Sequence, residues 1–153
     1  MRQPFVDFIA YGPEGNIVLL AEAKARLGTS ETWAAKLRRN MLSHGTLPKS
    51  SYLLIATPDR IYGWGQEDLP SSEVPPQFLL DSKKVLEPYF SRLHQEPAEI
   101  SPSAFELLIL SWLQNMTLPT PDESTMDPSL KPLAEAGVLA SLKGSHVEVN
   151  SGR

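Results

Sequence analysis

The stretch Val6-Asp7-Phe8-Ile9-Ala10-Tyr11-Gly12-Pro13-Glu14-Gly15-Asn16-Ile17-Val18-Leu19-Leu20-Ala21-Glu22-Ala23-Lys24 decides how the chain is read. Phe5–Tyr11 and Ile17–Arg26 are rich in β-branched, aromatic and aliphatic residues, and the five residues between them are turn formers. The pattern predicts a β-hairpin. Ile17-Val18-Leu19-Leu20-Ala21 shows no polar alternation, as expected of a strand covered on both faces and central in its sheet. Glu22 and Lys24 are two residues apart and so project from one face of that strand. If the hairpin closes at Gly12 and Ile17, Asp7 lies directly across from Glu22, with β-carbons ~5 Å apart. Two carboxylates that close repel unless a cation lies between them. Hard oxygen ligands of this kind suit Mg²⁺ or Mn²⁺, with Lys24 flanking the metal.

Outward from the hairpin, Thr29 or Ser30 can cap a helix running through Ser43, with Glu31 favourably placed at its N-terminus and His44-Gly45 at its end. Trp33, Leu37 and Met41 recur at four-residue spacing and form its buried stripe. Lys36, Arg38 and Arg39 are assigned to its other faces, as candidate contacts to nucleic-acid phosphates. Ser51–Thr57 and Ile61–Gly65 read as two further strands around the turn Pro58-Asp59-Arg60. The predicted order is therefore β-β-α-β-β. Gly65–Gln77 is polar and proline-bearing, and is predicted to be a loop.

Asp81 can cap a helix to Leu93 that Pro88 kinks or divides, and Ser101-Pro102 opens a helix whose face is Phe105, Leu108, Ile109, Trp112, Leu113 and Met116. Leu118–Pro128 reads as a loop. Pro128–Ala136 is predicted to be a short helix ending at Gly137, followed by a terminal hairpin of Val138–Leu142 and His146–Val149.

The order Asp7, a strand-sized gap, Glu22-Ala23-Lys24, a basic helix and a further strand resembles the PD-(D/E)XK phosphodiesterase superfamily, over residues 4–64. The resemblance implies an α/β fold: a mixed β-sheet with flanking helices, forming a restriction-endonuclease-like core over residues 1–66 with a mainly helical C-terminal portion over 67–153. It also implies Asp7, Glu22 and the carbonyl of Ala23 as ligands of Mg²⁺ or Mn²⁺, Lys24 as the catalytic lysine, and a nucleic acid, most simply DNA, as substrate. The superfamily's core usually begins with a helix and a strand ahead of the aspartate. Only six residues precede Asp7, so either those elements are lost or another segment or subunit supplies them. An uncovered edge at the first strand would make a homodimer the cheapest cover.

Composition limits the alternatives. The chain of 153 residues has no cysteine, which excludes disulfides, cysteine-ligated metal sites and a cysteine nucleophile, and suits the cytoplasm. No apolar run approaches the ~20 residues that span a bilayer, so no membrane is expected as a partner. The net charge of −4 is unevenly spread. Residues 1–64 carry eight Lys/Arg (Arg2, Lys24, Arg26, Lys36, Arg38, Arg39, Lys49, Arg60) against five acids (Asp7, Glu14, Glu22, Glu31, Asp59), a balance of +3, which leaves −7 for the remainder. The first part could face phosphates and the second could bind a protein partner. Two functions are consistent with this distribution: a metal-dependent nuclease, and a noncatalytic module of the same fold that binds nucleic acid or protein.

Overall fold

Val18 and Leu19 are neighbours in sequence, yet both enter the same apolar cluster, which a regular strand forbids because successive side chains alternate. The irregularity follows from the turn. In the computed structural model, which describes residues 6–43, 47–67, 69–119 and 127–150, Gly15 donates its N–H to the Gly12 carbonyl (2.9 Å) and Gly12 donates to Asn16 (2.8 Å). Pro13 at the second turn position and Gly15 at a φ of +86° build a type I turn ended by a left-handed glycine. The hairpin thus closes on Asn16, one residue earlier than the expected Ile17. A bulge at Val18 restores the register: strand β1 (Phe8–Tyr11) pairs with β2 (Ile17–Ala23) as Tyr11 to Ile17, then Ala10 to Leu19, Ile9 to Leu20 and Phe8 to Ala21. Continued one step, this register sets Asp7 against Glu22. Without the bulge Asp7 would face Ala21, and the carboxylates would lie on opposite faces.

Helix α1 (Glu31–Ser43) follows β2 and leads to β3 (Tyr52–Ala56), which pairs parallel with β2. Ser30 caps the helix, its hydroxyl accepting from the Trp33 N–H at 3.1 Å; the proposed stop at His44-Gly45 lies outside the described residues. β4 (Arg60–Gly65) returns antiparallel, and β5 (Phe78–Asp81) pairs with it. Short helices α2 (Ser82–Val85) and α3 (Glu87–Leu93), the long α4 (Pro102–Met116), a 3₁₀ turn (Pro128–Leu130), α5 (Lys131–Glu135) and α6 (Val138–Leu142) follow, then strand β6 (His146–Val149). The sheet has six strands in the order β5-β4-β3-β2-β1-β6. This is an α/β fold with a mixed sheet and helices on both faces, and no helix among the described residues is long and apolar enough to cross a membrane.

Against α1 lie Val6, Ile9, Leu20, Leu53, Ile55, Tyr62 and Trp64. The opposite face carries Phe8, Ala10, Leu19, Ala21, Ala23, Leu54, Ala56 and Ile61, packed under Phe90, Phe105, Ile109, Leu113, Val138 and Leu142. Alanines dominate the second face because the C-terminal helices come close there, and the full burial of Phe105 and Leu113 supplies the bulk the alanines lack.

Asp81 caps α2 as expected, accepting from the Lys83 N–H (3.0 Å), and also ends the edge strand β5, a strand the sequence reading left unassigned. Two expectations about the C-terminal hairpin are corrected. Val138–Leu142 is a helix; Gly137, at a φ of +86°, turns the chain into it. His146–Val149 pairs with β1, Phe8 against Val149 through Tyr11 against His146. The edge of β1 for which a second subunit was invoked is therefore covered by the chain's own C-terminal strand.

Gly63 lies opposite Phe78, and a β-carbon at position 63 would collide with the Phe78 ring. Gly63→Ala is expected to destabilise by about 1–3 kcal/mol, as overpacking does, with a clearly smaller loss when combined with Phe78→Leu. Equal thermal-melt losses in the two backgrounds would refute the ring contact.

Candidate active site

Glu22 follows Leu20 on the α1 face, where an aliphatic side chain would be the cheap choice. Its neighbours across the sheet are Ile55, then Tyr62, then Leu79. Asp7 completes this cross-sheet row on the β1 side. Glu22 is 2% exposed and Asp7 8%. Two carboxylates have been withdrawn from water in the sheet's interior, where burying an ion costs several kcal/mol unless partners repay it.

Some partners are evident. Asp7 sits one residue before β1, where the ladder has not begun, and its Oδ2 accepts the Ala23 N–H at 2.8 Å. The carboxylate thus takes the place of a strand carbonyl. Because the N–H and C=O of a strand residue point to the same side, the Ala23 carbonyl faces the same gap as Asp7. Lys24, just past the end of β2, turns its ammonium back to Glu22 Oε2 at 3.4 Å, with the lysine side chain 39% exposed. At that exposure the ion pair is partly screened and adds little stability. What it does is set a mobile cation between the buried carboxylate and solvent.

Asp7, Glu22, Ala23 and Lys24 are therefore brought together at one end of the sheet. Among the described residues no group of three or more His, Cys, Asp or Glu side chains converges. The protein offers two carboxylates and a backbone carbonyl, all hard oxygen donors. Such a set fits Mg²⁺ or Mn²⁺, since Mg²⁺ keeps several waters and is held by one or two carboxylates together with substrate phosphate oxygens.

The basic helix face is only partly where it was expected. Lys36 and Arg39 are exposed, Arg39 reaching Glu73 Oε1 at 3.5 Å. Arg38 points inward. It is 1% exposed, lies 5.8 Å from the Trp64 ring centroid, and donates from Nε to Gln66 Oε1 (3.1 Å), Nη1 to the Ser72 carbonyl (3.1 Å) and Nη2 to the Pro70 carbonyl (3.0 Å). Burial lowers its pKa. Arg38 is a clamp on the loop between β4 and β5, with each of its three nitrogens engaged and the side chain too buried to meet a phosphate. Its place three residues before Met41 and four after Ala34, both buried, is the periodic signal that marks it as inward-facing.

Two residues at this end escape a reading of the sequence. Asp59, taken for a turn former, also accepts the Gly28 N–H at 2.9 Å, which ties the β3–β4 turn to the loop after Lys24. Asn150 lies beside Asp7, 143 positions away in the chain, where no local pattern could signal it.

Arg38→Leu is expected to lower stability by about 1–3 kcal/mol, because three acceptors lose a charged donor. It should leave nucleic-acid affinity unchanged, whereas Lys36→Gln should leave stability unchanged. Thermal melts and a binding titration on both variants check this pair; a loss of affinity in a still-folded Arg38→Leu would restore it as a phosphate contact.

No protein-family model, curated protein or solved structure matches the chain.

Proposed function

We propose that the protein is a Mg²⁺- or Mn²⁺-dependent nuclease that hydrolyses phosphodiester bonds in nucleic acid, most simply DNA. Asp7, Glu22 and the Ala23 carbonyl are the metal ligands and Lys24 the catalytic lysine. The observation that carries this function is the burial of two carboxylates, Glu22 in β2 and Asp7 one residue ahead of the adjoining β1, beside an otherwise apolar sheet face, with one ammonium at 3.4 Å from Glu22. A sequence maintained only for stability would place aliphatic residues there, and ionisable groups buried beside a specific charge partner are a mark of functional sites. The order of elements is in keeping with the superfamily resemblance: an aspartate strand antiparallel to the Glu-Ala-Lys strand, then a helix, then a strand parallel to the second.

When bound, a divalent ion would polarise a phosphoryl oxygen and make a coordinated water more acidic. The chain's own contribution is positional and electrostatic. Asp7 and Glu22 fix the site through the β1–β2 register, and the Ala23 N–H holds one Asp7 oxygen so that the carboxylate cannot swing away. Lys24, reaching from the buried carboxylate to solvent, can leave Glu22 for a phosphate oxygen as negative charge builds there during attack by water. Lys36 and Arg39 are the α1 residues available to backbone phosphates, Arg39 by exchanging Glu73 for a phosphate.

One observation favours a second function, a noncatalytic module that binds nucleic acid or a protein. Lys24 on Glu22 and the Ala23 N–H on Asp7 already relieve part of the carboxylates' burial cost with no metal needed. The two functions separate in an assay. Purified protein with Mg²⁺ or Mn²⁺ is expected to cut plasmid or labelled oligonucleotides, and Lys24→Ala to cut ~10²–10³ times more slowly at unchanged fold. Wild-type rates in Lys24→Ala would remove the lysine from the mechanism. Inactivity of both proteins on single- and double-stranded DNA and RNA would leave the binding module.

A metal test needs no substrate. Asp7→Asn keeps an oxygen for the Ala23 N–H but removes one of two adjacent charges, so without metal it should melt no earlier than wild type. Wild type should gain stability from Mn²⁺, ~1.4 kcal/mol at a tenfold excess over the dissociation constant, and Asp7→Asn little. Wild type unmoved by Mn²⁺, with Asp7→Asn melting earlier throughout, would refute the metal site.

A further inference from the structure

Asp7 lies at a bend ahead of β1, outside any regular ladder, so something other than secondary structure must fix the direction of its carboxylate. The Ala23 N–H holds one oxygen of the side chain. The backbone is held by one residue from the other end of the chain. Asn150 donates its backbone N–H to the Asp7 carbonyl at 2.9 Å and its side-chain Nδ2 to the Val6 carbonyl at 2.9 Å.

Those two carbonyls belong to the two peptide planes that meet at the Asp7 α-carbon. The Val6 carbonyl is in the plane before it and the Asp7 carbonyl in the plane after it. Peptide units are rigid, so the only soft backbone torsions at Asp7 are the φ and ψ relating these two planes. A residue that grips both planes at once therefore restricts both torsions. They set where the Cα–Cβ bond points, and with it the carboxylate. The grip is itself well anchored, because Asn150 follows β6 directly and the pairing of Phe8 with Val149 sets it beside Asp7. Val6, whose carbonyl receives the side chain, is fully buried.

We propose that Asn150 is a positioning residue for the metal site, holding Asp7 in the orientation at which its carboxylate and that of Glu22 share one cation. This deepens the nuclease function proposed above and rests on its metal site. It also assigns a role to the C-terminal strand: the site is assembled from both ends of the chain, and β6 delivers a side chain as well as covering an edge. Asparagine suits the position because its amide nitrogen donates while carrying no charge that would compete with a divalent ion for the carboxylates.

The test uses the full chain and Mn²⁺ as probe, with thermal melts in EDTA and across a Mn²⁺ titration for wild type and Asn150→Ala, and far-ultraviolet circular dichroism to confirm the fold. A purely structural Asn150 would lower the melting temperature by the same amount at every Mn²⁺ concentration and leave the half-saturating concentration where it was. A positioning Asn150 raises that concentration, by ~10–100-fold if it acts as residues behind metal ligands usually do. Asn150→Ser, which also keeps the backbone bond to Asp7, replaces Asn150→Ala if the latter does not fold; failure of both to fold would make Asn150 structural and overturn the assignment. Unchanged Mn²⁺ half-saturation in a folded variant, beside a wild type that binds Mn²⁺, overturns the Asn150 assignment alone. A wild type that does not respond to Mn²⁺ overturns the metal site, and the positioning role with it.

Discussion

The Gly12–Asn16 closure and the bulge at Val18 act together as one constraint, and most of what is distinctive in the molecule depends on it. The turn alone would place the two strands one residue out of register. The bulge recovers that residue within two pairs of the turn, well before the chain reaches Asp7. Everything beyond inherits the corrected register: Leu20 and Glu22 face α1, Ala21 and Ala23 face the C-terminal helices, and Asp7 meets Glu22. Glycine is needed at position 15 for its left-handed φ. At position 12 a β-carbon would meet the Asn16 side chain, which would have to shift.

How much could be read beforehand divides along a physical line. The hairpin, α1, β3, β4 and α4 were legible because each carries its own periodicity, turn chemistry or cap: the Ser101 hydroxyl accepts the Ala104 N–H as the Ser101-Pro102 pair implies. The facing of Asp7 and Glu22 was also legible, though through a turn drawn one residue too long, because a hydrophobic strand specifies which face is buried more strongly than a turn specifies its length. β5 was left unassigned and β6 wrongly paired because four-residue strands carry little pattern of their own. Their identity comes from the partner strand, and a partner remote in sequence leaves no local trace. α6 failed for a related reason, since Val138-Leu139-Ala140-Ser141-Leu142 is a short apolar run that suits a strand or a helix equally well.

Arg38 teaches the opposite lesson. Counted by charge it belongs with Lys36 and Arg39, but counted by helical phase it belongs with Ala34 and Met41. Phase decides, because a guanidinium can be buried when acceptors are turned toward it, and Gln66, Pro70 and Ser72 each supply one. The loop gains an anchor and the helix gains a lid over Trp64, whose Nε1 donates to the Val74 carbonyl in the same loop. A polar, proline-bearing segment is thus held by hydrogen bonds from two large side chains as well as by the packing of Leu69 and Val74.

Covering β1 with β6 changes the electrostatic setting of the carboxylates as well as the sheet's edge. Were β1 an edge strand, the sheet would end beside Asp7 instead of continuing into β6. With β6 in place Glu22 lies in an interior strand and Asp7 one residue ahead of another, both buried where like charges are weakly screened and repel. The same burial that makes the pair costly makes a cation placed between them count for more. The short reach from Lys24 at the sheet's end is the chain's own partial answer to that repulsion. A strand drawn from the last described residues thereby helps to bury the two carboxylates near the first.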